Sequence, residues 1–234
     1  MPYQIAPVLA LKDNYIWMII SPDKKFAVVV DPGEAKPVVD KLKHEKINLA
    51  GILVTHHHAD HTNGISELVD KYKCPVYGPG LKNGEIYLDK LNLRLAVLEI
   101  PGHTLDQNAF YGLNSVFTGD TLFCAGCGKI FEGTPEQIFK SLQILAKLPD
   151  ETKVYCGHEY TENNIKFART VEPNNPNFDL QVKAPSTIKI EKLTNPFLRC
   201  HLPDIRASVE KHCGKTLSSP VEVFAELREW KNNY

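Results

Sequence analysis

The run GILVTHHHADHTNG, from Gly51 to Gly64, constrains this 234-residue chain more than any other segment. Its first part, GILVT, is β-branched, bounded by glycine and too brief for a helix, so it predicts a short buried strand. Four histidines and one aspartate follow within six positions. Imidazole and carboxylate donors packed against a strand end point to a metal site, because sites are built where regular elements give way to loops. His56 and His58 are two residues apart, so extended backbone aims both the same way. Asp60 and His61 are adjacent and begin the turn into the next helix, where they can face a second centre. His57 is expected to point away and to serve structure only.

A site this dense needs donors from elsewhere, and other strand ends offer them. LRLAVLEI (93–100) leads to His103, SVFTGD (115–120) ends on Asp120, and KVYCGH (153–158) ends on His158. A glycine stands directly before each of the three, which lets backbone approach an ion closely. Donors at the carboxyl ends of separate strands converge in α/β sheets. One catalytic ion takes about three protein ligands plus water, so five histidines and two aspartates over-supply a single centre. Two centres divide them: His56, His58 and His103 on one, Asp60, His61 and His158 on the other, with Asp120 as the bridge. Two ions about 3.5–4 Å apart that share a hydroxide make a hydrolytic site.

The remaining pattern predicts an α/β layered domain followed by a helical one. YIWMII (15–20) and FAVVVD (26–31) read as a strand hairpin, with CPVYG (74–78) and AFYGL (109–113) as further strands. ISELVDKY (65–72) reads as a helix. TPEQIFKSLQILAKLP is the clearest helix: Thr134 as cap, Pro135 in the first turn and Gln137 closing a capping box. After about residue 160 strand pattern fades. TENNIKFART reads as a helix, and PSTIKIEKLTNPFLR and LPDIRASVEKHC as helical in part. SSPVEVFAELREWKNNY has Ser219 as cap, Pro220 in the first turn and Glu222 completing a box. The division expected is 1–160 for the catalytic domain and 161–234 for the helical one.

Composition narrows the class. A net charge of −1 gives no electrostatic footprint for nucleic acid or acidic membrane. No apolar window is long enough to span a bilayer. The first residues, MPYQIAPVLALKDNY, lack the basic start and apolar core of a secretory signal. Six scattered cysteines fit a reducing cytosol, so the chain is read as cytoplasmic, with a monomer expected.

THHHADH, GHT, FTGDTLF and YCGHEY resemble, in this order, the motifs of the metallo-β-lactamase fold. More narrowly, FTGDTLFCAGCGKIFEGT, VYCGHEYTENNIKFA and NPFLR resemble glyoxalase II, hydroxyacylglutathione hydrolase, and the resemblance covers nearly the whole chain. It implies a four-layer αββα sandwich followed by a small α-helical C-terminal domain that helps hold glutathione. It implies two divalent metal ions, zinc first, with iron or manganese as alternatives, on His56, His58, Asp60, His61, His103, Asp120 and His158. It implies substrate contacts from Lys129, Tyr160, Arg228 and Lys231. The last two lie three apart on one helix face and would meet the glycine carboxylate of glutathione.

The implied reaction is cleavage of S-D-lactoylglutathione to D-lactate and glutathione, the second step of methylglyoxal detoxification. A hydroxide held between the ions would attack the thioester carbonyl, with Asp60 and Asp120 placing it. The leaving thiolate, with a pKa near about 8.5, departs without a strong general acid. Some family members carry Tyr two residues after the lysine; this chain has Phe131, so a hydroxyl contact to the peptide is absent. The main rival is a mono-iron persulfide dioxygenase of the same fold. A secreted β-lactamase and a basic nuclease of this fold fit the N-terminus and the charge less well. CAGC (124–127) has redox spacing, but Gly126 and Gly128 read as a loop rather than a helix start. Cys156 reads as a small core residue, and Asp31 in DPG as an acceptor of backbone hydrogen bonds beneath the site.

Overall fold

Short β-branched and aromatic runs become strands, and the turn residues between them set their ends. The computed structural model describes residues 2–180 and 182–234. By its internal contacts the chain divides into two compact units. The first is Met1–Glu99, Asp106–Gly119 and Gly157–Glu159; the second is Ile100–Leu105, Asp120–Cys156 and Tyr160–Tyr234.

The first unit holds two sheets. Strands β1 (Gln4–Ala10), β2 (Asn14–Ile20), β3 (Phe26–Val30), β4 (Asn48–Leu53) and β5 (Val76–Tyr77) lie in that order in one sheet. The expected hairpin is present as β2 and β3, antiparallel with Met18 opposite Val29. β3, β4 and β5 run parallel, linked by α1 (Ala35–Glu45), the one-turn α2 (Ala59–Thr62) and α3 (Ile65–Tyr72). Parallel strands need such crossovers. Val29, Ile52 and Val54 pack with Val38, Leu42 and Leu68 of the helices in one buried core. The strands of the second sheet that belong to this unit form an antiparallel meander: β6 (Gly84–Leu88), β7 (Leu93–Glu99), β8 (Asn108–Gly112) and β9 (Ser115–Gly119).

The second unit carries β10 (Leu122–Phe123), β11 (Gly126–Cys127), α4 (Pro135–Ala146), β12 (Lys153–Cys156), α5 (Thr161–Val171), β13 (Ser186–Thr187), α6 (Ile188–Thr194), α7 (Pro203–Cys213) and α8 (Pro220–Asn232). Thr134 and Gln137 close the capping box of α4 as expected. On α8, Ser219 caps through the Glu222 N–H at 3.2 Å, but the Glu222 carboxylate accepts from Ser218 N and Oγ instead of returning to the cap. The box on α8 is therefore displaced by one residue. Cys124–Cys127 is also more ordered than a loop: β10 and β11 pair across it as a two-stranded hairpin.

Among the described residues, no helix is long and apolar enough to cross a membrane.

Candidate metal centre

In the first unit the site starts from Asp31, which ends β3 in a left-handed conformation (φ +53°). Asp tolerates that region better than most residues because its short side chain bonds locally. Its carboxylate accepts from Thr55 N at 2.7 Å, from Thr55 Oγ1 at 2.6 Å and from His61 Nδ1 at 3.1 Å. The expected backbone acceptor is thus present, and it also grips a candidate ligand. Gly33 brings the chain against α2: a Cβ there would lie 1.8 Å from the carbonyl oxygen of Asp60.

These bonds fix the tautomers. The Thr55 hydroxyl gives its hydrogen to Asp31, so at 3.0 Å it accepts from His56 Nδ1. His61 Nδ1 donates to Asp31, and His158 Nδ1 donates to Asp13 Oδ1 at 2.8 Å. Nε2 of each ring then carries the lone pair. His61 Nε2 and His158 Nε2 meet at 3.2 Å, and Asp60 Oδ2 lies 3.4 and 3.3 Å from them. Three Lewis bases aimed at one point repel unless a cation lies among them. The His158 and His61 imidazoles hold the Asp60 carboxyl far below the usual carboxylate range, against the opposing effect of burial. The donor set of two imidazoles and one carboxylate fits a divalent ion of the zinc, iron or manganese kind. Asn14 Nδ2 steadies Asp60 by donating to its Oδ2 at 3.0 Å and its carbonyl at 3.2 Å.

His56 and His58 have ring centroids 4.7 Å apart, so the two-residue spacing does place them together. His57 is exposed: its Nδ1 lies 2.9 Å from Asp106 Oδ2, and its ring stands edge-on to His58 at 5.3 Å. Asp31, His56 and His61 also lie close enough to hold an ion, but the Asp31 oxygens already serve N–H and O–H donors. Asp31 thus already orients Thr55 and His61 through these bonds.

In the second unit His103 and Asp120 form a buried pair, Nε2 to Oδ2 at 3.6 Å. His103 Nδ1 donates to the carbonyl of Lys129 at 2.7 Å, which again turns the Nε2 lone pair inward. Phe131 N and Glu132 N both donate to the His103 carbonyl, and the Phe131 ring stands edge-on to the imidazole at 5.2 Å. The glycine before Asp120 also serves packing. Gly119 has φ +49°, and a Cβ there would meet Thr55 Oγ1 at 2.2 Å. It clears room for the hydroxyl behind His56.

The expected substrate contacts also lie in this unit. Lys129 is exposed, with Nζ 5.7 Å from the Phe131 ring centre. Tyr160 packs edge-on against Phe123 at 5.3 Å. Arg228 is buried: its Nη1 donates to the Cys127 carbonyl at 2.8 Å and its guanidinium lies over Phe197. Lys231 Nζ donates to the Asn163 carbonyl at 3.2 Å and lies over Phe167 and Tyr234. Burial, and then the nearby Arg228 charge, push its pKa down to about 8. The CAGC thiols are buried, and burial raises Cys127 to about 11, so both stay protonated and unreactive at neutral pH.

Sequence reading missed Asp13, Asn14 and Thr55. Their only signals are position: Asp13 ends the turn before β2, Asn14 opens that strand, and Thr55 precedes the histidine run.

Residues 12–88 match the metallo-beta-lactamase superfamily model, and residues 159–234 match the model described as hydroxyacylglutathione hydrolase C-terminus. The hydroxyacylglutathione hydrolase of Nitrosomonas europaea is 46% identical over 253 aligned residues, covering 98% of this chain and 96% of that one. This chain belongs to the hydroxyacylglutathione hydrolase family. That of Alkalilimnicola ehrlichii is 44% identical over 98% of both chains. Among solved structures, ETHE1 from Myxococcus xanthus superposes with a TM-score of 0.70 at 26% identity, covering 98% of this chain and 90% of that one. The family's metallo-β-lactamase fold and helical C-terminal region are those expected from the sequence motifs.

Proposed function

We propose that this hydroxyacylglutathione hydrolase cleaves S-D-lactoylglutathione and related 2-hydroxyacylglutathione thioesters to the hydroxy acid and glutathione. The observation that carries the reading is the convergence of His61 Nε2, His158 Nε2 and Asp60 Oδ2 on one point, each ring locked by a bond from its Nδ1. Two divalent ions, zinc first with iron or manganese as alternatives, would be held by His56, His58 and His103 and by Asp60, His61 and His158, with Asp120 between them. When bound, such ions lower the pKa of water toward about 7 and polarise a carbonyl.

The chain's own residues do the rest. Asp60, half-exposed and held by Asn14, and Asp120, buried beside His103, are the acceptors that keep the attacking oxygen in place. Lys129 and Tyr160 offer a cation and a hydroxyl to the peptide, and Lys231 offers an ammonium to the glycine carboxylate. Arg228 supports that end while holding Cys127. No acid is needed for the thiolate to leave, since its conjugate thiol has a pKa near about 8.5. We place the protein in the cytoplasm as a monomer, without nucleic-acid or membrane partners.

The test is turnover of S-D-lactoylglutathione, followed as thioester loss, beside a short thioester that lacks the glutathione peptide. Preference for the glutathione thioester supports the reading. No turnover of it, or oxygen uptake with a glutathione persulfide on a single iron, would replace it.

A further inference from the structure

The turn between β1 and β2 holds two members of one metal cluster at once. Asp13 Oδ1 accepts from His158 Nδ1 at 2.8 Å, and Asn14 Nδ2 reaches Asp60 Oδ2 at 3.0 Å. The backbone repeats the grip: Glu159 N donates to the Asp13 carbonyl at 2.9 Å and Tyr15 N to the Gly157 carbonyl at 2.8 Å. Tyr15 adds its hydroxyl to Glu159 Oε2 at 2.6 Å. Residues 13–15 thus fasten the loop that delivers His158.

The groups behind the imidazoles differ in charge. His56 backs onto the Thr55 hydroxyl and His103 onto the Lys129 carbonyl, both neutral. His61 backs onto Asp31, whose charge is divided among three donors. His158 backs onto Asp13, a carboxylate 30% exposed beside a ring only 6% exposed. A carboxylate behind an imidazole fixes its orientation and raises the basicity of the opposite nitrogen, so it strengthens the metal bond.

We propose that Asp13 is a positioning residue that, through His158, makes the Asp60/His61/His158 half of the centre the tighter-binding half. This rests on the two-ion reading above. The geometry also separates two contributions. Asp13→Asn keeps an oxygen to accept from His158 Nδ1 and removes only the charge. Asp13→Ala removes both.

The experiment titrates metal-free protein with Co(II), following its ligand-field spectrum, and then with Zn(II) by calorimetry. Wild type is expected to take up two ions in two steps of different affinity. Asp13→Asn should weaken the tighter step about 10-fold and Asp13→Ala about 100-fold, with the weaker step unchanged. The Co(II) spectrum of the tighter step should change with them, while the melting temperature of the metal-free protein stays close to wild type. Should Asp13→Ala fail to fold, Asp13→Asn carries the test alone. Unchanged affinities and spectra in the variants would overturn the proposal, as would equal weakening of both steps, which marks a general structural role. Uptake of fewer than two ions by wild type would instead overturn the two-ion reading, and this assignment with it.

Discussion

Asp120 and Lys231 show how one side chain sets a measurable property. Asp120 is buried with His103, and the two-ion proposal makes it the bridge. Asp120→Ala should lose bound metal and most thioesterase activity together, read as metal content and turnover on one sample; full activity with two ions retained would remove the bridging role. Lys231 carries a lowered pKa of about 8, caused first by burial and then by Arg228. Its charge is therefore full below pH 8 and lost as pH rises through 8. KM for glutathione thioesters should climb across that range, while KM for a thioester without the glycine carboxylate stays flat. Lys231→Ala should raise the former at neutral pH and remove its pH dependence. Arg228→Ala is a poorer probe, because the guanidinium also holds the Cys127 carbonyl and its loss leaves that group exposed to rearrangement. The candidate ligand histidines are legible in the sequence because their spacing and strand-end placement are local. Asp13 and Thr55 are not, because what they do depends on partners 145 and 24 residues away, His158 and Asp31.

At the level of elements, α6 shows what periodicity conceals. A glutamate on a short helix normally faces water. Glu191 is instead fully buried, accepting from Ala125 N at 2.9 Å, Ser186 Oγ at 2.6 Å and Asn195 Nδ2 at 2.9 Å. Asn195 Nδ2 in turn reaches the carbonyls of Phe123 and Gly126, and Asn164 that of Cys124. The β10–β11 hairpin is thereby pinned from α5, α6 and the segment after it, just before the Lys129 carbonyl that orients His103. Glu191→Ala strands at least two buried donors, each costing about 1–3 kcal/mol. A clear fall in melting temperature should follow, measured by thermal unfolding; a melting temperature within error of wild type would show that the network is dispensable. The missed elements have local causes. β1 contains Pro7 yet survives because it is an edge strand paired only to β2. α1 has Pro37 in its first turn, where the missing N–H is not needed.

For the whole molecule, the alternation of strand and helix followed by helices alone is enough to expect the fold class, since each strand run carries its own turn signals. How the chain closes into compact units is not written locally. His103 and Asp120 belong to the same unit as α4–α8, whereas His158 belongs with β1–β9, although it lies late in the sequence. Long-range contacts decide that, and no window of the sequence contains them. The proposed thioesterase needs two divalent ions. Its most direct test is metal-free protein reloaded stepwise with Zn(II), with S-D-lactoylglutathione hydrolysis and bound metal per chain measured on each sample. Activity should reach its maximum as the second ion is bound. Two ions bound without hydrolysis, or full hydrolysis with one, would overturn the two-ion thioesterase.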